Sequence, residues 1–237
     1  MSKKIFLTSS PFVEPRKPFN CKNKFVEKLS ESLKNKKNAL FITSDPWNIS
    51  FTESFSLAVK ETLKLTGIHF ENYTILDYRN SFLVEDFINQ SDFIILSGGH
   101  VPTQDNFFKK LNLRGLIQNF SGVVLGISAG SMNAADVVYA QPEEEGESVD
   151  LSYQRFLEGL NLTKKMIIPH YQDIKNKIID GKRLFEDITY KDSIGKEFYA
   201  FPDGTYLYSC RGKEEIFGEY FKIKDGEIEK VSNKTIG

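Results

Sequence analysis

The segment with the clearest chemical content is Gly126-Ile127-Ser128-Ala129-Gly130, a G-x-S-x-G pattern that directly follows the apolar run GVVLG and directly precedes a helix-like stretch. That is the context a nucleophile elbow needs: a serine on a tight, strained strand-to-helix turn, flanked by small residues that let strand and helix approach. The Ser128 Oγ would then point away from the sheet at the C-terminal ends of the strands, where open α/β sheets bind ligands. The amide of Ala129, next in the chain, would face the same way and stabilise an oxyanion. The competing reading is a glycine-rich turn kept small only for packing.

A serine nucleophile needs a base, and the chain has three histidines. His69, in TGIHFENY, reads as structural. His100 follows DFIILSGG and His170 follows MIIP, so both stand at C-terminal strand ends, on the edge that carries Ser128. His170 is the better base, because Pro169 stiffens the chain before it. In SGGHVPTQ, residues 97–104, paired glycines can turn sharply and expose backbone N–H groups. Gly99 is therefore a candidate second oxyanion donor and His100 a candidate substrate contact; a plain strand-to-helix turn capped by Thr103 fits equally. The acid that would orient the imidazole is open: Glu143, Glu144, Glu145, Glu147 and Asp150 lie in one acidic run, and Asp203 lies in a PDG turn. Acidic runs are usually solvated faces, and no spacing rule separates these residues.

Positioning these groups requires a sheet. Strand-like runs at residues 4–8, 39–43, 73–76, 92–96, 122–126 and 166–168 alternate with helix-like stretches near 23–33, 51–65, 82–88, 104–118, 129–138 and 174–185. Strand then helix, repeated with short connections, predicts an α/β fold with a mostly parallel sheet flanked by helices. After about residue 195 come EFYAF, TYLYSC, EEIFGEYFKI and EIEKV, separated by PDG, RGK and KDG turns. These read as C-terminal antiparallel strands, with Asp-Gly as a hairpin signal. The expected organisation is a single domain over 1–237, a core over 1–195 and an antiparallel extension over 196–237. Residues 140–159, with QPEEEGESVD, form the longest irregular segment, either disordered or part of a site.

The 237 residues hold 31 Lys plus Arg against 32 Asp plus Glu, a formal net charge of −1, and no long basic stripe, which argues against nucleic acid as partner. No apolar run approaches membrane-spanning length, and the start MSKKIFLTSSPF lacks a signal-peptide core. Cys21 and Cys210 are far apart with no CxxC pairing, so a reduced, cytoplasmic protein without a metal site or cofactor is expected. A nucleotide-binding flavodoxin-like module is disfavoured, since GxxxxGK[ST] is absent and SGGHVP is not GxGxxG.

Taken together, SGGHVPTQ, GISAGSMNAA, IIPHY and FPDGTYLY resemble the dipeptidase E-like serine peptidase family, which includes aspartyl dipeptidases and cyanophycinases, over roughly residues 4 to 210. The resemblance implies a class I glutamine amidotransferase-like fold with serine in place of the amidotransferase cysteine. It implies Ser128 as nucleophile, His170 as base, and Gly99 and Ala129 as oxyanion donors, although SGGH stands where members often carry GGGN. By spacing, Glu143 is the closest match to the triad aspartate of dipeptidase E-like members; the cyanophycinase-like pattern, with an acid after the histidine, points instead to Asp203. The implied substrate is a small peptide with an N-terminal or side-chain-linked aspartyl residue, its carboxylate meeting a cation such as Arg183, in a monomer or homodimer. The rivals are a small-molecule esterase or amidase and a non-catalytic metabolite-binding module.

Overall fold

The structure, a computed structural model, describes residues 3–14 and 17–232. Its centre is five parallel strands: β1 (Lys4–Thr8), β2 (Asn38–Ile42), β3 (Asn72–Leu76), β4 (Phe93–Leu96) and β5 (Val123–Ile127), in the order β1-β5-β4-β2-β3. β4 and β5 are buried along their whole length, which is why they read as unbroken apolar runs rather than alternating ones. Successive residues of these strands feed two cores. On one face Phe6, Phe41, Phe93 and Leu125 pack against α1 (Phe25–Ser32) and α2 (Ile49–Leu65). On the other, Leu7, Leu40, Ile94 and Val124 pack against α3 (Val84–Gln90), α4 (Val101–Lys110) and α5 (Leu113–Gln118).

The chain then runs through α6 (Ala129–Met132), an antiparallel pair β6 (Val137–Tyr139) and β7 (Phe156–Glu158), then β8 (Met166–Ile168) and α7 (Tyr171–Ile174). A two-residue pair follows, β9 (Ile178–Ile179) with β10 (Lys182–Arg183). The last strands are β11 (Glu197–Ala200), β12 (Tyr206–Cys210), β13 (Lys213–Phe217), β14 (Tyr220–Lys224) and β15 (Glu227–Val231). β12 and β13 join the main sheet antiparallel, beyond β1. β11, β14 and β15 form a second sheet with β8, in the order β15-β14-β11-β8. The C-terminal strands thus divide between two sheets, and the β8–β11 pair is parallel.

Three helical expectations give way. The stretch 104–118 begins earlier and breaks in two, because Asn112 takes a left-handed conformation (φ 51°) and restarts the helix. The stretch 129–138 stops at Met132, and β-branched Val137 and Val138 pair as a strand instead. The stretch 174–185 is interrupted by Asp180-Gly181, both at positive φ (49° and 75°), the signature of a two-residue hairpin turn. A six-residue π-helical segment, Leu184–Thr189, follows it. Among the described residues, no helix is long and apolar enough to cross a membrane.

Candidate active site

The sheet delivers Ser128 as the motif suggested. β5 ends at Ile127, and Ser128 turns the chain into α6 at φ 50°, ψ −112°. Such a backbone costs a residue with a Cβ about 1–3 kcal/mol and persists only where neighbours over-determine it. Here the Ser128 amide donates to the carbonyls of Thr8 (3.1 Å) and Ser9 (3.0 Å) at the end of β1. The Ser131 hydroxyl adds a bond to Thr8 O at 2.8 Å. Gly130 has a packing role: a Cβ there would lie 2.3 Å from the carbonyl oxygen of Leu96, so only glycine lets α6 sit this close to β4.

His170, itself at φ 57°, faces the serine. Its Nε2 is 2.9 Å from Ser128 Oγ, and its Nδ1 is 2.9 Å from Asp203 Oδ1. The β8–β11 register explains the last contact. Ile168 pairs with Ala200, so the residues just past both strand ends come to lie side by side. The Asp203 carboxyl is held below the usual carboxylate range; burial pushes it up, but hydrogen bonds from His170 and from Ser9 outweigh that. A carboxylate only accepts, so Nδ1 carries the proton and Nε2 is free to accept from the Ser128 hydroxyl.

Ser9, fully buried, touches every member of this chain. Its hydroxyl donates to Asp203 Oδ1 (2.6 Å) and accepts from the His170 amide (2.7 Å), while its carbonyl receives the Ser128 amide. Gln172 Oε1 fixes the Asp203 amide at 2.9 Å. Neither residue stood out in the sequence. The available signal for Ser9 was its place just past β1, on the edge that carries Ser128.

A model of peptidase family S51 matches residues 5–216. The chain belongs to peptidase family S51. In structure it is similar to a peptidase from an acI-B1 Actinobacterium (TM-score 0.67, 18% identity, covering 98% of this chain and 95% of that one). It is also similar to a candidate peptidase E protein from Listeria monocytogenes EGD-e (TM-score 0.62, 18% identity, covering 91% and 98%). No curated protein matches the chain significantly.

The other residues singled out in this S51 peptidase sequence take varied places. Gly99 adopts φ 146° beneath Ser44, whose Oγ would sit 2.0 Å from an added Cβ. The same hydroxyl donates to the carbonyl of the neighbouring Gly98 at 2.7 Å, fixing the loop. A Cβ at Gly98 would lie 3.5 Å from Ser128 Cβ, so the loop abuts the elbow. His100 bonds Thr103 Oγ1 through Nδ1 (2.8 Å) and Glu147 Oε1 through Nε2 (2.7 Å). It therefore ties the acidic loop to the glycine loop.

That acidic loop is ordered by carboxylates that accept from its backbone amides. Glu147 accepts from the amides of Glu143 and Glu144, and Asp180 from those of Gly146 and Ser148. Glu143 does not occupy the place next to His170 Nδ1, which Asp203 holds. Its carboxyl lies within the field of His100, Glu147, Lys177 and His170, and burial is the main cause that pushes its pKa up to about 7. Arg183 is not brought to the serine's hydrogen-bonded chain; its guanidinium forms a two-pronged pair with Asp187 (2.8 and 3.0 Å) and is 61% exposed. Among the described residues, two groups offer three metal-ligand atoms within 4.8 Å of one another, His100/Glu144/Glu147 and His170/Asp173/Asp203. In the second, both His170 nitrogens already serve Ser128 and Asp203.

Proposed function

We propose that this S51 peptidase hydrolyses short peptides through an acyl-enzyme on Ser128, with His170 as general base and Asp203 as the orienting acid. The observation that carries the reading is the Ser128 Oγ–His170 Nε2, His170 Nδ1–Asp203 chain, both links at 2.9 Å, built on a strained serine turn. His170 Nε2 takes the hydroxyl proton as Ser128 Oγ bonds to the scissile carbonyl carbon. Negative charge collects on the carbonyl oxygen, where the amides of Ala129 and Gly99 are the proposed donors. The C–N bond then breaks, and the proton on Nε2 passes to the leaving amine. Water, deprotonated by the same nitrogen, attacks the acyl carbon; Ser128 regains its proton and the second product leaves.

Asp203 keeps the imidazole in the tautomer that accepts at Nε2 and offsets the positive charge that develops on the ring. Ser9 holds that carboxylate and the His170 backbone in register. The aspartyl preference that the family resemblance implies gains no support from Arg183, already paired to Asp187.

The test is turnover of a panel of unblocked dipeptides, Asp-Xaa against other N-terminal residues, by wild type, Ser128→Ala and Asp203→Asn. Cleavage that vanishes in Ser128→Ala and falls by about 10⁴ in Asp203→Asn is expected. Cleavage that survives Ser128→Ala would remove the serine mechanism, and equal rates for Asp-Xaa and neutral peptides would remove the aspartyl preference.

A further inference from the structure

Next to the Ser128–His170–Asp203 chain lies a cavity of about 730 Å³ that none of the roles above uses. Phe12, Phe51, Phe55 and Ala58 line it, and Asp203 and Ser10 form part of its wall. Its volume falls in the range of small-molecule sites, ample for one large side chain. The aromatic wall is organised: Phe51 stacks on Phe55 (centroids 5.8 Å apart, rings inclined 24°), and Phe12 approaches the same ring at 6.2 Å. Phe41 braces Phe55 from the core in an edge contact at 6.0 Å.

This wall is continuous with the elbow through the glycine loop. A Cβ on Gly98 would stand 3.7 Å from the Phe55 ring and 3.5 Å from Ser128 Cβ, and one on Gly99 would stand 3.9 Å from the Phe51 ring. Phe51 is nevertheless 38% exposed, so apolar surface is left facing water beside the reactive serine.

We infer that this cavity is a specificity pocket that takes an aromatic or large aliphatic side chain of the peptide, on one of the two residues flanking the scissile bond. The inference rests on the reading of Ser128 as nucleophile. Charge favours such an occupant over an acidic one: Asp203, held ionised by its hydrogen bonds, and Glu14 both line the cavity. A substrate carboxylate entering here would leave water to meet like charge, whereas an aromatic ring would meet stacked rings. If one flanking residue is aspartyl, its side chain lies elsewhere.

The test compares kcat/KM for matched unblocked peptides carrying Phe, Leu, Gly or Asp at each flanking position, using wild type, Phe51→Ala and Ala58→Phe. At one position the wild type is expected to favour Phe or Leu over Gly by about tenfold or more. Both variants should lower that ratio about tenfold, Phe51→Ala by opening the wall and Ala58→Phe by filling the space with equally apolar atoms. Labelling of Ser128 by a fluorophosphonate, run on all three proteins, reports a folded, reactive elbow independently of side-chain preference. Labelling without any Phe or Leu preference, or with a ratio that neither variant moves, overturns the pocket and leaves the serine mechanism standing. A wild type that neither labels nor turns over peptide overturns both.

Discussion

Glu143→Gln separates a carboxyl that merely neighbours the site from one that works in it. The Glu143 carboxyl ordinarily titrates near 4.5 and is pushed up to about 7, chiefly by burial, with Glu147 adding repulsion and His100, Lys177 and His170 opposing it. Between these two values the folded protein binds more protons than the unfolded chain. Stability from this group is therefore full below about pH 4.5, falls as pH rises to about 7, and is flat above. At about 1.4 kcal/mol per pH unit, the ionised carboxylate costs the fold about 3 kcal/mol, an upper figure because solvent screens it. Glutamine keeps the shape of the protonated acid and cannot ionise. The variant should match wild type in urea denaturation near pH 4.5. Near pH 8 it should be more stable by about 2–3 kcal/mol, a midpoint shift of about 1 M. Peptide turnover should survive, in contrast to Asp203→Asn. A stability difference that does not change between the two pH values would refute the titration argument. A loss of turnover as deep as that of Asp203→Asn would refute the placement of Asp203, rather than Glu143, beside His170.

Ser9→Ala removes a hydroxyl that donates to Asp203 and accepts from the His170 amide. Bonds to charged groups are worth about 1.5–3 kcal/mol, so kcat/KM should drop about ten- to a hundredfold. Because that hydroxyl helps hold Asp203 ionised, the acid limb of the pH–rate profile should move to higher pH; an unmoved limb would reduce Ser9 to a packing residue. Gly130→Ala forces a Cβ to within 2.3 Å of Leu96 O, and should lower the thermal midpoint and abolish Ser128 labelling as α6 is pushed off the sheet; wild-type values for both would mean the backbone yields freely there. Arg183→Ala should leave the preference among dipeptides unchanged, and selective loss of Asp-Xaa turnover would show that Arg183 leaves Asp187 to meet substrate.

The parts of the site that depend on local order could be read from the sequence. G-x-S-x-G after GVVLG is a strand, a turn and a helix start within ten residues, and Ser128 sits where that grammar puts it. MIIPH likewise places His170 just past a strand end. The acid was ambiguous for a physical reason. Which carboxylate meets His170 depends on β8 lying parallel to β11 with Ile168 opposite Ala200, and a register between distant segments leaves no periodic trace in either. Glu143 looked suitable by spacing, yet the loop that holds it is closed on itself by Glu147 and tied to the β9–β10 turn by Asp180, contacts made through backbone amides rather than a motif. The helix expected over 174–185 failed on an Asp-Gly pair of the kind weighed as a hairpin signal only farther along the chain. Ser9 was hidden because one serine after a strand carries no pattern of its own.

The reach of Ser9 also bears on when the protein becomes reactive. Its partners stand 161 residues away at His170 and 194 at Asp203, and β1 must slot between β5 and β12 before any of them meet. β1 is thus completed by strands that lie far along the chain from it. A growing chain on the ribosome, or one truncated before Asp203, holds an elbow serine whose histidine lacks the Asp203 carboxylate at Nδ1. On the proposed mechanism such fragments should lose most of their peptide turnover, so hydrolytic power is tied to long-range strand pairing and not to the elbow alone.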